Sequence, residues 1–248
     1  MNLRKAIKKK PLVGGWTLSG SPCIAEVFAP GFDFVVVDVE HGSATFRDVE
    51  ACITAVNAAD GAALVRVRDE NDIGIVLDLG ACGVIVPRVS NRAQMENIID
   101  ACIFPAEGKR SFSLARCTGY GLGAKKYYKQ FNDRVFICAM IETREGVENL
   151  DDILDAMRLD AVLVGPYDLS GSLGKPGNFK SDEFIEAMQN IERTCDAAGV
   201  PYGIHDPHAT PEHVVNYIRG GMRFVAAGMD TTVLSSYAKK VINTVAER

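Results

Sequence analysis

Val36-Val37-Asp38-Val39-Glu40-His41-Gly42 is an apolar run that stops at charge. Such a run reads as a strand buried on both faces, with the charge at its C-terminal end. Three further segments share this grammar: Leu64-Val65-Arg66-Val67-Arg68, Met140-Ile141-Glu142-Thr143-Arg144-Glu145-Gly146 and Val164-Gly165-Pro166-Tyr167-Asp168-Leu169-Ser170. In a parallel α/β fold the C-terminal edge of the strands is where ligands bind. Together the four segments place a histidine, an arginine and two carboxylates on one rim. That set suits a divalent metal and a developing enolate.

Outward from these segments, strand-like runs recur at 13–18, 34–39, 63–67, 83–89, 135–141, 161–165, 202–204 and 224–227. Helical patterns lie between them. The stretch 46–59 puts Val49, Cys52, Ile53 and Val56 on one face at a 3.6 period. Shorter or similar patterns cover 73–79, 95–102, 147–157 and 184–198, and Thr210-Pro211-Glu212 reads as an N-cap followed by proline at the first helical position. Eight strands alternating with helices predict one α/β domain over 1–248, a (β/α)8 TIM barrel, and 248 residues is a usual length for it. An open doubly wound sheet is the alternative, but no Gly-x-Gly-x-x-Gly follows the first strand.

The remaining composition narrows the function. Lys+Arg is 27 against Asp+Glu 32, a net charge of −5, which offers no electrostatic reason for nucleic acid or an anionic membrane as partner. Seven cysteines are scattered, with no Cys-x-x-Cys, and most sit in apolar patterns, so a reducing, cytoplasmic setting is expected. The basic start, with Arg4, Lys5, Lys8, Lys9 and Lys10, runs into Pro11-Leu12-Val13-Gly14-Gly15, too short and glycine-rich for a signal peptide's apolar stretch. It is expected to be a surface helix. The connection 104–133 is about thirty residues long, rich in glycine, aromatic and basic residues. Long loops of this kind are commonly functional, and this one is expected to overhang the rim as a substrate lid or to form a subunit contact.

At the rim, Glu142 and Asp168 follow neighbouring strands, about 4.8 Å apart, so both can reach one hard cation such as Mg²⁺ or Mn²⁺. Each could instead simply pair with a nearby cation, as Arg144 could with Glu142. His41 is a candidate general base, with Asp38 placed to orient or charge-stabilise its ring; a rim histidine satisfied by the backbone is the plainer reading. Glu40 is a further rim carboxylate or an ion-pair partner. Arg66 offers a planar guanidinium to a carboxylate or enolate oxygen, and Arg68 shares its parity. His205 either contacts substrate or fills the rim. No lysine ends a candidate strand, which disfavours an imine-forming aldolase.

These segments, in this order along the chain, resemble the class II pyruvate-dependent aldolases of the HpcH/HpaI family, and the likeness runs from Gly15-Trp16 to Gly228-Met229-Asp230. The resemblance implies a barrel of the phosphoenolpyruvate/pyruvate type. It implies a divalent cation (Mg, Mn or Co) held by Glu142 and Asp168, Arg66 on the 2-oxo oxygen of pyruvate, and His41 with Asp38 handling protons. It implies backbone N–H groups near Gly165, Tyr167 and Asp168 on the pyruvate carboxylate. It further implies a homo-oligomer, a hexamer of swapped dimers, in which the 231–246 helix crosses to a partner. Two departures stand out. Met140 replaces a common glutamine, and Glu107-Gly108-Lys109-Arg110-Ser111-Phe112-Ser113 replaces the usual loop on the aldehyde side. The expected reaction is reversible cleavage of a 4-hydroxy-2-oxo acid to pyruvate and an aldehyde. The rivals are oxaloacetate decarboxylation or acyl-CoA lysis through the same enolate, and a non-catalytic small-acid-binding barrel.

Overall fold

A computed structural model describes residues 1–156 and 158–246 of the chain. Strands β1 (Leu12–Thr17), β2 (Phe34–Asp38), β3 (Ala63–Arg66), β4 (Gly83–Val86), β5 (Phe136–Ile141), β6 (Ala161–Val164), β7 (Tyr202–Asp206) and β8 (Phe224–Met229) pair in parallel and in sequence order. β8 closes onto β1, so the sheet is a (β/α)8 barrel and not an open sheet. The helices are α1 (Leu3–Ala6), α2 (Pro22–Phe28), α3 (Phe46–Ala58), α4 (Ile73–Asp78), α5 (Arg92–Cys102), α6 (Ala124–Phe131), α7 (Arg144–Glu148), α8 (Leu150–Leu154), α9 (Pro166–Ser172), α10 (Asp182–Ala198), α11 (Pro211–Arg219) and α12 (Asp230–Ala246).

The two-residue period of the strands divides the core. In β2, Val35 and Val37 face outward into the layer under the helices, while Phe34 and Val36 face into the barrel. Phe34, Phe136 and Phe224 fill the lower interior, with Phe34 and Phe224 stacked at 4.5 Å. Gly14 faces that layer. A Cβ there would lie 2.1 Å from the Phe34 ring, so the close-packed interior leaves room only for glycine. Above it the odd strands contribute Trp16, Arg66, Met140 and His205, the layered filling typical of such barrels.

Local signals explain the element ends. Thr45 and Asp48 form a reciprocal capping box at the start of α3, whose buried face is Val49, Cys52, Ile53 and Val56. β4 stops at Val86, three residues short of the expected end. Pro87 supplies no N–H and Arg88 turns the chain at φ 54. The single helix expected over 147–157 is instead α7 and α8, broken at Asn149, whose side chain donates to the Ser90 carbonyl at 2.9 Å. Met157 lies outside the described residues, as do residues 247–248 of the expected domain.

Two expectations are corrected here. The basic start is not merely a surface helix: Leu3 and Ile7 are buried and join the inner barrel cluster, closing the lower end. The 104–133 segment does not overhang the rim of its own barrel. It follows α5 and leads into β5, so it lies at the lower end. There Arg110 pairs with Asp78 at 2.7 Å and is boxed by Phe104, Phe131 and Tyr127. Arg116 donates to the Leu79 carbonyl. Length and composition give no direction along the barrel axis, and α5 has already carried the chain back down before this segment begins.

Candidate active site

The upper ends of the strands enclose a cleft of about 270 Å³, lined by Leu18, Asp38, His41, Arg66, Met140, Glu142, Gly165, Pro166, Tyr167, Asp168, His205, Pro207 and Met229. Asp38, His41, Arg66, Glu142, Gly165, Tyr167, Asp168 and His205, all read from the sequence as candidates, line it, whereas the further candidates Glu40 and Arg68 do not. A larger hollow of about 460 Å³ lies at the lower end, beside the Arg4–Asp160 ion pair, and holds none of them.

Inward parity carries Asp38 and Arg66 into the cleft floor from paired positions on β2 and β3. Arg66 donates from Nε to Asp38 Oδ1 at 3.0 Å and from Nη2 to the other oxygen. Trp16 Nε1 donates to Asp38 Oδ2 at 3.1 Å, and the guanidinium lies 4.9 Å over the Trp16 ring. Burial pushes the Asp38 carboxyl up, but the bonds and charge of Arg66, with the Trp16 donor, outweigh it and hold Asp38 below the usual range. Arg66 Nη1 also lies 3.1 Å from Glu40 Oε2, without hydrogen-bond alignment. Burial raises the Glu40 carboxyl against that charge. Arg66 is thus fixed in place with its fork edge engaged, whereas Arg68 points outward into a pair with Asp72 at 2.7 Å.

The expected support of His41 by Asp38 is corrected. The Asp38 carboxylate is turned inward to Arg66 and Trp16, and it meets His41 only through the backbone N–H at 3.3 Å. The imidazole stands past the strand end, 59% exposed, with Nε2 3.8 Å from Glu40 Oε2. Glu40 is therefore the carboxylate nearest its ring.

Glu142 follows β5 with the inward parity of Met140. Its Oε1 accepts the Arg88 N–H at 2.8 Å, while Oε2 is buried with no hydrogen-bond partner. Burial pushes this carboxyl up to about 7, with the Asp168 and Glu40 charges adding to the rise. Across from it, a Cβ on Gly165 would sit 2.1 Å from Oε2, so glycine is what keeps space open beside that oxygen. Asp168 is half-exposed in the first turn of α9, with Oδ1 4.0 Å from Arg88 Nη1. Among the described residues no cluster of three or more His, Cys, Asp or Glu could hold a metal. Two carboxylates, one with a bare buried oxygen, nonetheless fit a hard cation that keeps water and substrate as its other ligands.

Two contributors escaped the sequence reading. Trp16 is the chain's one tryptophan, and it braces Asp38, Arg66 and His205 together. Its inward parity on the first strand was the available signal. Arg88 follows Val84-Ile85-Val86-Pro87, the same apolar-then-charged grammar used for the other strands, and was passed over inside an overlong strand.

Residues 14–236 match the HpcH/HpaI aldolase/citrate lyase family. The chain belongs to that family. It is 33% identical over 234 residues to a 2-dehydro-3,6-dideoxy-6-sulfogluconate aldolase of Pseudomonas putida, covering 93% of this chain and 91% of that one. It is 30% identical to a 5-keto-4-deoxy-D-glucarate aldolase of Shigella sonnei, over 95% and 93% of the two chains. Among solved structures, an HpcH/HpaI aldolase from Desulfitobacterium hafniense superposes with a TM-score of 0.90 at 28% identity, covering 100% of this chain and 98% of that one. The citrate synthase SbnG does so at 0.88 and 28%, over 99% and 98%. As an HpcH/HpaI family member with aldolase relatives along nearly its whole length, the chain is an enzyme of the carbon–carbon lyase class. No helix among its described residues is long and apolar enough to cross a membrane.

Proposed function

We propose that this HpcH/HpaI protein is a divalent-metal-dependent aldolase that reversibly cleaves a 4-hydroxy-2-oxo acid to pyruvate and an aldehyde. The observation that carries this reading is the bare, buried Oε2 of Glu142 beside Gly165, with Asp168 at the same mouth of the cleft. Glu142 and Asp168 would hold Mg²⁺, Mn²⁺ or Co²⁺. Bound there, the cation would supply Lewis acidity toward the 2-oxo oxygen, worth several kcal/mol of charge stabilisation.

The chain's own groups do the rest. Arg66 donates to the 2-oxo oxygen as charge develops on it, and it is held there in advance by Asp38, Glu40 and Trp16. The first N–H groups of α9, at Tyr167 and Asp168, have no partner within the helix and would hold the carboxylate of the substrate. His41, directly or through water, takes the proton of the 4-hydroxyl. The C3–C4 bond then breaks, its electron pair forms the enolate, and the aldehyde leaves. His41 returns a proton to C3 to give pyruvate. Among the described residues no lysine lines the cleft, and the proposed route forms no imine. Met140 puts a thioether where a polar side chain would otherwise reach the bound acid.

The acyl-CoA alternative would need a basic surface for the nucleotide beside the cleft, and the basic 104–133 segment lies at the other end of the barrel. As for partners, α12 leaves Val233, Leu234, Tyr237, Ile242 and Val245 exposed. A second copy of the chain covering that face, in a homo-oligomer such as a hexamer, accounts for them. Neither charge nor motif calls for nucleic acid or membrane, and the cytoplasm fits the free cysteines.

Chelation should abolish pyruvate release from a panel of 4-hydroxy-2-oxo acids, and Mg²⁺, Mn²⁺ or Co²⁺ should restore it. Borohydride trapping of pyruvate on a lysine, or full activity in excess chelator, defeats the reading. Oxaloacetate decarboxylation without any aldol cleavage would favour the other use of the same enolate.

A further inference from the structure

The charged groups of the cleft lie on one side of it. Arg66 ends β3, Glu142 follows β5 and Asp168 follows β6. The opposite wall, from β7 round to β1, is apolar at Leu18, Pro207 and Met229. His205 is the exception. It points inward from β7, is buried, and lies flat on Trp16, ring centres 3.9 Å apart and planes 13° from parallel. Its Nε2 is buried with no hydrogen-bond partner among the described residues. A buried ring nitrogen without a partner is costly, and such groups in a cleft wall are met by ligand or ordered water. Burial, reinforced by the nearby Arg66 charge, pulls the imidazole down to about 3. The ring is therefore neutral at working pH, a hydrogen-bonding group and not an ion.

If the aldolase reading holds, the carboxylate and 2-oxo oxygens of the substrate are taken by the charged side. Its carbon chain then runs toward the β7–β1 wall. We propose that His205 is a specificity-determining residue: it hydrogen-bonds an oxygen on the aldehyde half of the substrate and so selects hydroxylated aldehydes over plain alkyl ones. A site built to bond a hydroxyl rejects the analogue that lacks it more sharply than an apolar wall rejects added size. This inference rests on the aldolase reading and names the substrate class within it.

The test compares condensation of pyruvate with glycolaldehyde and with acetaldehyde, alongside exchange of pyruvate's methyl protons with solvent. His205→Phe keeps a ring against Trp16 but no hydrogen bond; His205→Gln keeps a hydrogen bond but no ring. Wild-type enzyme should favour glycolaldehyde in kcat/KM. His205→Phe should lose about tenfold of that preference, with proton exchange within about threefold of wild type, and His205→Gln should recover most of it. His205→Leu, which also lacks a hydrogen bond, serves in its place if the phenylalanine variant does not fold. Unchanged preference in the variants overturns the inference. So does a loss of exchange in step with condensation, which would mark a packing role against Trp16. A wild-type enzyme that exchanges protons but prefers acetaldehyde defeats this inference alone. One that catalyses neither reaction defeats the aldolase reading, and this inference with it.

Discussion

Arg66 and Arg68 are two residues apart in sequence, and the structure separates them completely. Arg66 is buried with its fork on Asp38, while Arg68 is 55% exposed in a surface pair. Arg66→Lys keeps the charge but loses the planar donor pair. It should lower kcat on the order of 10²-fold or more, and Arg68→Lys should stay within a few-fold; steady-state pyruvate release reads both. His205 sets a pH dependence of stability. Its folded value of about 3 lies below the ordinary 6.5, so between these the unfolded chain binds the extra proton. Stability from this group is complete above pH 6.5 and lost as pH falls toward 3, by up to about 1.4 kcal/mol per unit. Melting temperature followed from pH 7 to 5 should fall less steeply in His205→Phe than in wild type. Parallel slopes would show that other groups control that window.

At the scale of elements, the 104–133 segment shows why position along the chain is not position in space. Its basic residues seemed placed for substrate, yet Arg110 is closed off among Phe104, Phe131 and Tyr127, opposite Asp78. Arg110→Ala leaves a partly buried carboxylate without its partner, a loss of about 3 kcal/mol by analogy with broken buried pairs. Thermal denaturation should show a clear drop in melting temperature. The kcat and aldehyde preference of the folded variant should stay within about twofold of wild type, and a changed preference at unchanged stability would restore the lid. The ends of α7 and β4 teach the same lesson at shorter range. Asn149 and Pro87 were visible in the sequence, but their effect depended on the Ser90 carbonyl and on the turn at Arg88.

For the whole molecule, the open question of packing is α12. Its N-terminus is anchored by Asp230, which accepts hydrogen bonds from Thr17 Oγ1 and the Leu18 and Ser19 N–H groups. Beyond that turn the helix is exposed along its apolar residues. Leu234→Asp combined with Ile242→Asp should therefore shift the molar mass measured by light scattering to smaller species, with far-ultraviolet circular dichroism unchanged. A wild-type monomer in that experiment would end the homo-oligomer proposal.

Alternation of apolar runs and helical periods by itself determined the eight β/α units, and the pairing of β8 with β1 then decided the barrel against the open sheet. A strand buried on both faces and a helix buried on one leave signatures in the chain that no tertiary detail is needed to read. The same grammar placed His41, Arg66, Glu142 and Asp168 at one rim, because a charge that ends a buried strand has nowhere else to go. Which side chains touch was decided only by the fold. Asp38 serves Arg66 and Trp16 and not the His41 ring, since inward parity and barrel curvature bring β1, β2 and β3 together above the phenylalanine layer. Gly165 matters because Glu142 of the neighbouring strand comes against it, and His205 because Trp16, far away in sequence, lies flat beneath it. These are contacts between distant residues, set by register and closure, and periodicity carries no information about them.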